Sequence, residues 1–194
     1  WYPGQAGGQA VAEVLFGDYN PAGKLPLTFY RNLAQIPDFE DSNMTGRTYR
    51  YMKETPLFPF GHGLSYTTFK YGKLKMNDDK IAAGQNLNLV IPVTNTGSRD
   101  GDEVVQVYLK KMDDTEGPVK TLRAFKRVRI PAGKTVEVKF SLNDTQLEWW
   151  DEQSNTMRVC PGNYTVMIGG TSCEKSLLSR TCLLYTSDAA DEAR

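Results

Sequence analysis

The chain has 194 residues, enough for one ordinary domain or for a small domain plus part of another. Its 23 basic and 23 acidic side chains cancel, which argues against nucleic acid as a partner, because phosphate binding needs an excess of Lys and Arg on one face. No apolar run approaches the roughly 20 residues of a membrane span, and no basic, apolar, small-residue leader opens the chain.

The first residue is Trp1, and a Trp-Tyr-Pro-Gly start reads like the middle of a domain. The chain is therefore expected to be a fragment or a processed product. Gly8 to Phe16 predict a short helix, because Ala10, Val11, Val14 and Leu15 share one helical face. Gly7 and Gly8 precede it, and Gly17 sits where a helix often ends in a left-handed residue. A Gly-rich entry can cradle an anion on free backbone amides. Gly4-Gln5-Ala6-Gly7-Gly8 lacks the Lys and Ser/Thr of a phosphate loop, so a tight turn for close packing is the preferred reading. Asp18 to Gly23 are a turn by composition. Leu25 to Tyr30 predict a short strand. From Arg31 to Gly63 no clean periodicity remains, only an aromatic, Pro-rich stretch expected to wrap over another surface.

After residue 66 the pattern changes to short alternating strands. The alternating sets are Leu87, Leu89, Ile91 and Val93, then Val105, Val107 and Leu109, then Val136, Val138, Phe140 and Leu142. Val128 and Ile130 lead into the turn Pro131-Ala132-Gly133, and Tyr164, Val166 and Ile168 follow the turn Pro161-Gly162-Asn163. Residues near Leu177 to Leu183 supply a last strand. About seven short strands with turns and no helix predict an antiparallel β-sandwich, immunoglobulin-like or fibronectin type III-like. The expected division is 1–65 for the first part, 66–182 for the sandwich and 183–194 for a non-native, disordered tail. That tail is small and charged beyond Tyr185. From Leu183 to Glu192 it resembles a read-through of sequencing-adaptor DNA, so the natural C-terminus is expected to be truncated or replaced.

Three cysteines, Cys160, Cys173 and Cys182, with a single His fit no zinc pattern. They read as small buried or half-buried thiols, with a Cys160–Cys173 bridge left open for an exported parent. Three Asn-X-Ser/Thr sequons begin at Asn43, Asn143 and Asn163.

Several long motifs resemble glycoside hydrolase family 3, the β-glucosidase and β-xylosidase type. Trp1 to Ala10 and Val14-Leu15-Phe16-Gly17-Asp18-Tyr19-Asn20-Pro21-Ala22-Gly23-Lys24-Leu25-Pro26 resemble the late part of that family's second domain. Pro59-Phe60-Gly61-His62-Gly63-Leu64-Ser65-Tyr66-Thr67-Thr68-Phe69 looks like the join that follows it. Val93-Thr94-Asn95-Thr96-Gly97, Gly101 to Tyr108, Leu122 to Val128 and Pro161 to Gly170 resemble the fibronectin type III-like third domain. The resemblance runs from Trp1 to about Cys182. It implies a mainly β chain: the C-terminal remnant of an α/β sandwich domain, then the β-sandwich. Ala6 stands where many β-glucosidases of the family carry Glu, and Gly46-Arg47-Thr48-Tyr49-Arg50-Tyr51 looks more like the β-xylosidase and arabinosidase branch.

Retaining glycoside hydrolysis uses two carboxyl groups about 5–5.5 Å apart. The resemblance implies that the Asp nucleophile and the acid/base Glu lie upstream, in motifs this chain lacks, so it is expected to carry no catalytic residue. Glu13, Asp78-Asp79, Asp102-Glu103 and Asp113-Asp114 read as solvated or capping groups. His62, flanked by glycines, reads as a structural hydrogen-bonding group rather than a general base. Arg47, Tyr49, Arg50 and Tyr51 either tie the long segment to its neighbour or line a cleft rim. Of Trp149 and Trp150, strand geometry turns one inward and leaves the other as a candidate sugar contact. No metal or cofactor is implied, and no substrate-binding residue is assigned. The resemblance implies a secreted or periplasmic parent that removes terminal glucose or xylose from β-linked oligosaccharides. The alternative is a free-standing carbohydrate-binding or adhesion module.

Overall fold

The computed structural model describes residues 2–185. A helix, α1 (Gly7–Phe16), opens the chain and ends at Gly17, which takes the left-handed conformation (φ +82°) expected of a helix-stopping glycine. Its apolar face is largely uncovered among the described residues: none of α1 is buried, and Leu15 and Phe16 are 74% and 84% exposed. The following segment runs without regular structure apart from short turns, including α2 (Thr48–Tyr51). Leu25 to Tyr30 do not form the predicted strand. In its place stand an isolated bridge, Phe29 to Phe58, and backbone bonds from Leu25 to Gly61 and His62, too far apart to make a continuous ladder.

Eleven strands follow: β1 (Phe69–Tyr71), β2 (Lys75–Met76), β3 (Lys80–Ala82), β4 (Leu87–Asn95), β5 (Gly101–Lys111), β6 (Thr121–Ile130), β7 (Thr135–Leu142), β8 (Trp149–Asp151), β9 (Thr156–Arg158), β10 (Gly162–Gly169) and β11 (Leu178–Tyr185). One sheet is centred on β4, which pairs with β1 and β2 along one edge and with β7 along the other. The second runs β3-β11-β10-β5-β6, and β8 and β9 make a separate hairpin. The named strand pairs are antiparallel except β3 with β11, which is parallel. The result is a mainly β, fibronectin type III-like sandwich.

The core is the meeting of two period-two faces. Leu87, Leu89, Ile91 and Val93 of β4 are fully buried against Val105, Val107 and Leu109 of β5 and Tyr164, Val166 and Ile168 of β10. Each such side chain removes about 1.5–3 kcal/mol worth of apolar surface from water. The edge strand β6 carries Arg123, Lys126, Arg127 and Arg129, charges that discourage pairing with another chain.

Two further expectations need correction. A one-turn helix, α3 (Asp144–Leu147), stands where no helix was expected; Asn143 and Gln146 close a capping box around it, and Leu147 is buried. The last strand runs on to Tyr185, three residues past the expected end of the sandwich. Leu183, Leu184 and Tyr185 pair with Lys80, Ile81 and Ala82, and Leu184 continues the buried alternation begun at Cys182. The rest of the expected disordered tail, 186–194, lies outside the described residues.

Candidate functional site

The first part of the chain is pinned to one end of the sandwich by a polar seam. Asn20 donates to the Asp100 carbonyl (2.9 Å) and accepts from Ser65 Oγ (3.0 Å) and from the Tyr66 amide (2.8 Å). The Tyr66 hydroxyl donates to the Val14 carbonyl of α1, and Arg99 donates to the Gly17 carbonyl at its end. Lys24 forms an ion pair with Glu103 (3.3 Å), whose other oxygen accepts from the Tyr71 hydroxyl (2.8 Å). Burial, then the Glu103 charge, pushes the Tyr71 pKa up, so Tyr71 stays protonated and donates. Arg127 bridges Asp102 and the Tyr19 hydroxyl (3.0 Å).

A second, apolar contact covers the outer face of β5. Tyr49 stacks on Phe60 (4.3 Å between ring centroids) and meets the edge of Tyr108 (5.9 Å), while its hydroxyl accepts from the Leu122 amide (3.1 Å). Beside it, Gln106 Nε2 donates to the Gly170 carbonyl (2.7 Å), and Gln106 Oε1 accepts from the Tyr108 hydroxyl. Of the two readings of the Arg47–Tyr51 motif, Tyr49 therefore ties segment to sandwich, and it also borders a cleft of about 700 Å³. Thr48 holds φ at +56°, an outlier for a β-branched residue, and so fixes how Tyr49 and Arg50 leave the chain. The His62 ring stacks on Phe58 (5.0 Å) and its backbone bonds to Leu25 and Pro59; among the described residues its side chain makes none of the hydrogen bonds expected of it.

The carboxylates weighed from sequence are mostly engaged structurally. Glu13 accepts from Gln9, Asp78 caps the Lys80 amide, and Asp102 and Glu103 lie in the seam. Asp113 pairs with Lys111 (2.7 Å), which lowers its pKa chiefly through that hydrogen bond. Asp114 accepts from the Trp149 indole (2.6 Å) and from the Gly117 amide. The Trp pair divides as strand geometry requires: Trp149 is 3% exposed and Trp150 50%. Both border a second cleft, of about 550 Å³, with Arg50 and Tyr51 opposite.

Cys160 and Cys173 are not bridged. They flank opposite ends of β10, whose eight residues span about 23 Å, far beyond the roughly 7 Å a disulfide tolerates. Burial pushes the Cys182 thiol up to about 11 and raises Cys160 as well. A group whose folded pKa is raised adds stability that is full below its unfolded value, near 9, and is lost as pH rises through the folded value. The melting temperature is thus expected to fall steadily between about pH 9 and 11. Cys182→Val, which keeps the apolar volume, should lessen that fall in thermal melts, while Cys160 and the buried Tyr71, Tyr108 and Tyr164, whose pKa values are also raised, keep part of it. An unchanged slope in the variant would contradict the assignment.

A sandwich joined through a polar seam to a helix with an uncovered apolar face defines the class: a fibronectin type III-like domain carrying the end of another domain. Residues 1–66 match the glycosyl hydrolase family 3 C-terminal domain, and residues 103–172 match the fibronectin type III-like domain. Residues 1–66 thus belong to the C-terminal domain of glycoside hydrolase family 3, and a fibronectin type III-like domain follows them. It is 52% identical over 184 residues to a xylan 1,4-β-xylosidase of Xylanibacter ruminicola, covering 95% of this chain and 21% of that protein. It is 38% identical over 182 residues to a periplasmic β-glucosidase of Salmonella typhimurium, covering 87% of this chain and 24% of that one. A β-glucosidase structure from Erythrobacter marinus superposes with a TM-score of 0.81 at 38% identity, covering 95% of this chain and 24% of that chain. The chain therefore spans between a fifth and a quarter of the length of these two curated relatives. Among the described residues no helix is long and apolar enough to cross a membrane.

Proposed function

We propose that this chain is the C-terminal part of a retaining, exo-acting β-glycosidase that removes terminal xylose from β-linked oligosaccharides. The observation that carries the reading is the 52% identity, over 95% of the chain, to a xylan 1,4-β-xylosidase. The Gly46 to Tyr51 motif supports xylose over glucose. In this reading 1–65 close an α/β domain and the sandwich that follows braces it. The nucleophile and the acid/base lie in the upstream domains, which also bind the substrate; this chain supplies no catalytic, substrate-binding or metal-binding residue to that reaction. The exposed face of α1, with Val11, Leu15 and Phe16, then packs against that upstream part. The parent acts in an exported compartment, a reading supported by the periplasmic name of one relative. A free-standing module is not favoured, because no residue of α1 is buried and its apolar side chains Val11, Leu15 and Phe16 stay exposed, while only polar bonds at its end tie it to the sandwich.

The test is to read the coding sequence ahead of the Trp1 codon and express the whole. The expected product cleaves 4-nitrophenyl β-D-xyloside with kcat/KM about tenfold or more above the glucoside. Preference for the glucoside would overturn the choice of sugar, and hydrolysis of neither would overturn the glycosidase reading.

A further inference from the structure

The cleft beside β8 has the make-up of a saccharide site. Its volume of about 550 Å³ lies in the range of roughly 300–1,000 Å³ typical of ligand sites. Trp150 presents half of its surface to solvent at the cleft, while its neighbour Trp149 is fixed from below. The fixing is threefold: the Trp149 indole donates to Asp114, the edge of Tyr164 meets it at 6.0 Å, and the Arg123 guanidinium lies 5.3 Å from its ring centroid. The hairpin that carries Trp150 is held as well, because Asp151 pairs with Arg158 (2.8 Å) and accepts from Ser154. The strand that carries the exposed indole is therefore held in place.

Around it stand polar groups with unused capacity. Among the described residues the side chains of Arg50, Glu116 and Glu152 make no hydrogen bond or ion pair, and all three border the cleft. In the cleft wall, Thr121 Oγ1 and Arg123 Nε also lack partners. Three cationic side chains face four carboxylates, so the cleft favours neither an anion nor a cation. A neutral ligand with many hydroxyls suits this mixture, because each hydroxyl donates to a carboxylate and accepts from a guanidinium. The apolar C–H face of a pyranose ring suits the open face of an indole.

We propose that this cleft binds a neutral oligosaccharide, with Trp150 as the stacking platform and Arg50, Glu116 and Glu152 as hydroxyl partners. Binding is read on this chain alone and without hydrolysis, so the inference goes beyond the proposed function and stands or falls apart from it.

The experiment titrates the full chain with xylotriose, and separately with cellotriose, while following tryptophan fluorescence and calorimetric heat. The expected result is saturable binding of at least one sugar that weakens tenfold or more in Trp150→Ala and is largely kept in Trp150→Phe. Thermal melts establish that each variant is folded at the titration temperature, since half of the Trp150 surface is packed and Trp150→Ala lowers the melting point somewhat. The proposal is overturned if neither sugar gives saturable binding, or if a folded Trp150→Ala chain binds as tightly as the parent.

Discussion

Replacing Asn95 with alanine is expected to cost about 3–5 kcal/mol, the loss associated with breaking a buried hydrogen-bond network. Asn95 is fully buried at the end of β4. Its Oδ1 accepts from Thr67 Oγ1 and from the Gly97 amide (3.0 Å), and its Nδ2 donates to the carbonyls of Arg99 (2.7 Å) and Ile130 (2.9 Å). The side chain thus closes the β4–β5 turn and joins it both to the end of β6 and to Thr67, the point where the chain enters the sandwich. Alanine leaves a hydroxyl, an amide and two carbonyls short of partners, and each one kept from water costs about 1–3 kcal/mol. Asn95→Asp should be nearly as harmful, since a carboxylate turned towards two carbonyls cannot donate. Chemical denaturation of the purified chain measures both. A loss below about 1 kcal/mol for Asn95→Ala would mean that the network does not hold the turn.

Gly61→Ala is the second large effect, and it acts on the attachment of the segment to the sandwich. Gly61 has φ at +79°, and a Cβ there would lie 2.2 Å from Gln106 Oε1. Gln106 cannot step aside cheaply, because it holds the Gly170 carbonyl and the Tyr108 hydroxyl at once. The left-handed backbone costs about 1–2 kcal/mol for alanine, and displacing Gln106 adds about 1–3 kcal/mol. Once this sum exceeds what docking contributes, the segment detaches and the sandwich keeps its core. Trypsin should then cut faster at Arg47, Arg50 and Lys53. Gly84→Ala is the control: its φ is +85° but nothing lies within 4 Å of the added Cβ, so it carries the backbone cost alone. Equal behaviour of the two variants would remove Gln106 from the explanation.

The inward faces of β4, β7 and β10 were legible in the sequence, because a residue between two sheets follows the period of its own strand. The outward burial of Gln106 and Tyr108 was not. Their cover comes from Tyr49 and Gly61, some 45 residues or more earlier, and no local pattern encodes it. The capping box at Asn143 and Gln146 was a readable signal, but a four-residue helix is too short to show a period. The strands β1, β2 and β3 have two or three residues each, too few for alternation, and the reach of β11 to Tyr185 depends on β3 as partner. For the candidate site, the opposite facing of Trp149 and Trp150 followed from adjacency alone. The cleft did not, because Arg50 and Tyr51 reach it from another part of the chain.

That the chain completes a β-glycosidase is tested most directly by a chimera. The upstream part of the Xylanibacter ruminicola xylan 1,4-β-xylosidase, cut ahead of the stretch that matches Trp1, is joined to this chain and assayed on 4-nitrophenyl β-D-xyloside. The predicted result is hydrolysis by the chimera, none by this chain alone, and none by the upstream part alone. Hydrolysis by the isolated chain, or undiminished hydrolysis by the upstream part without it, would contradict the role assigned here.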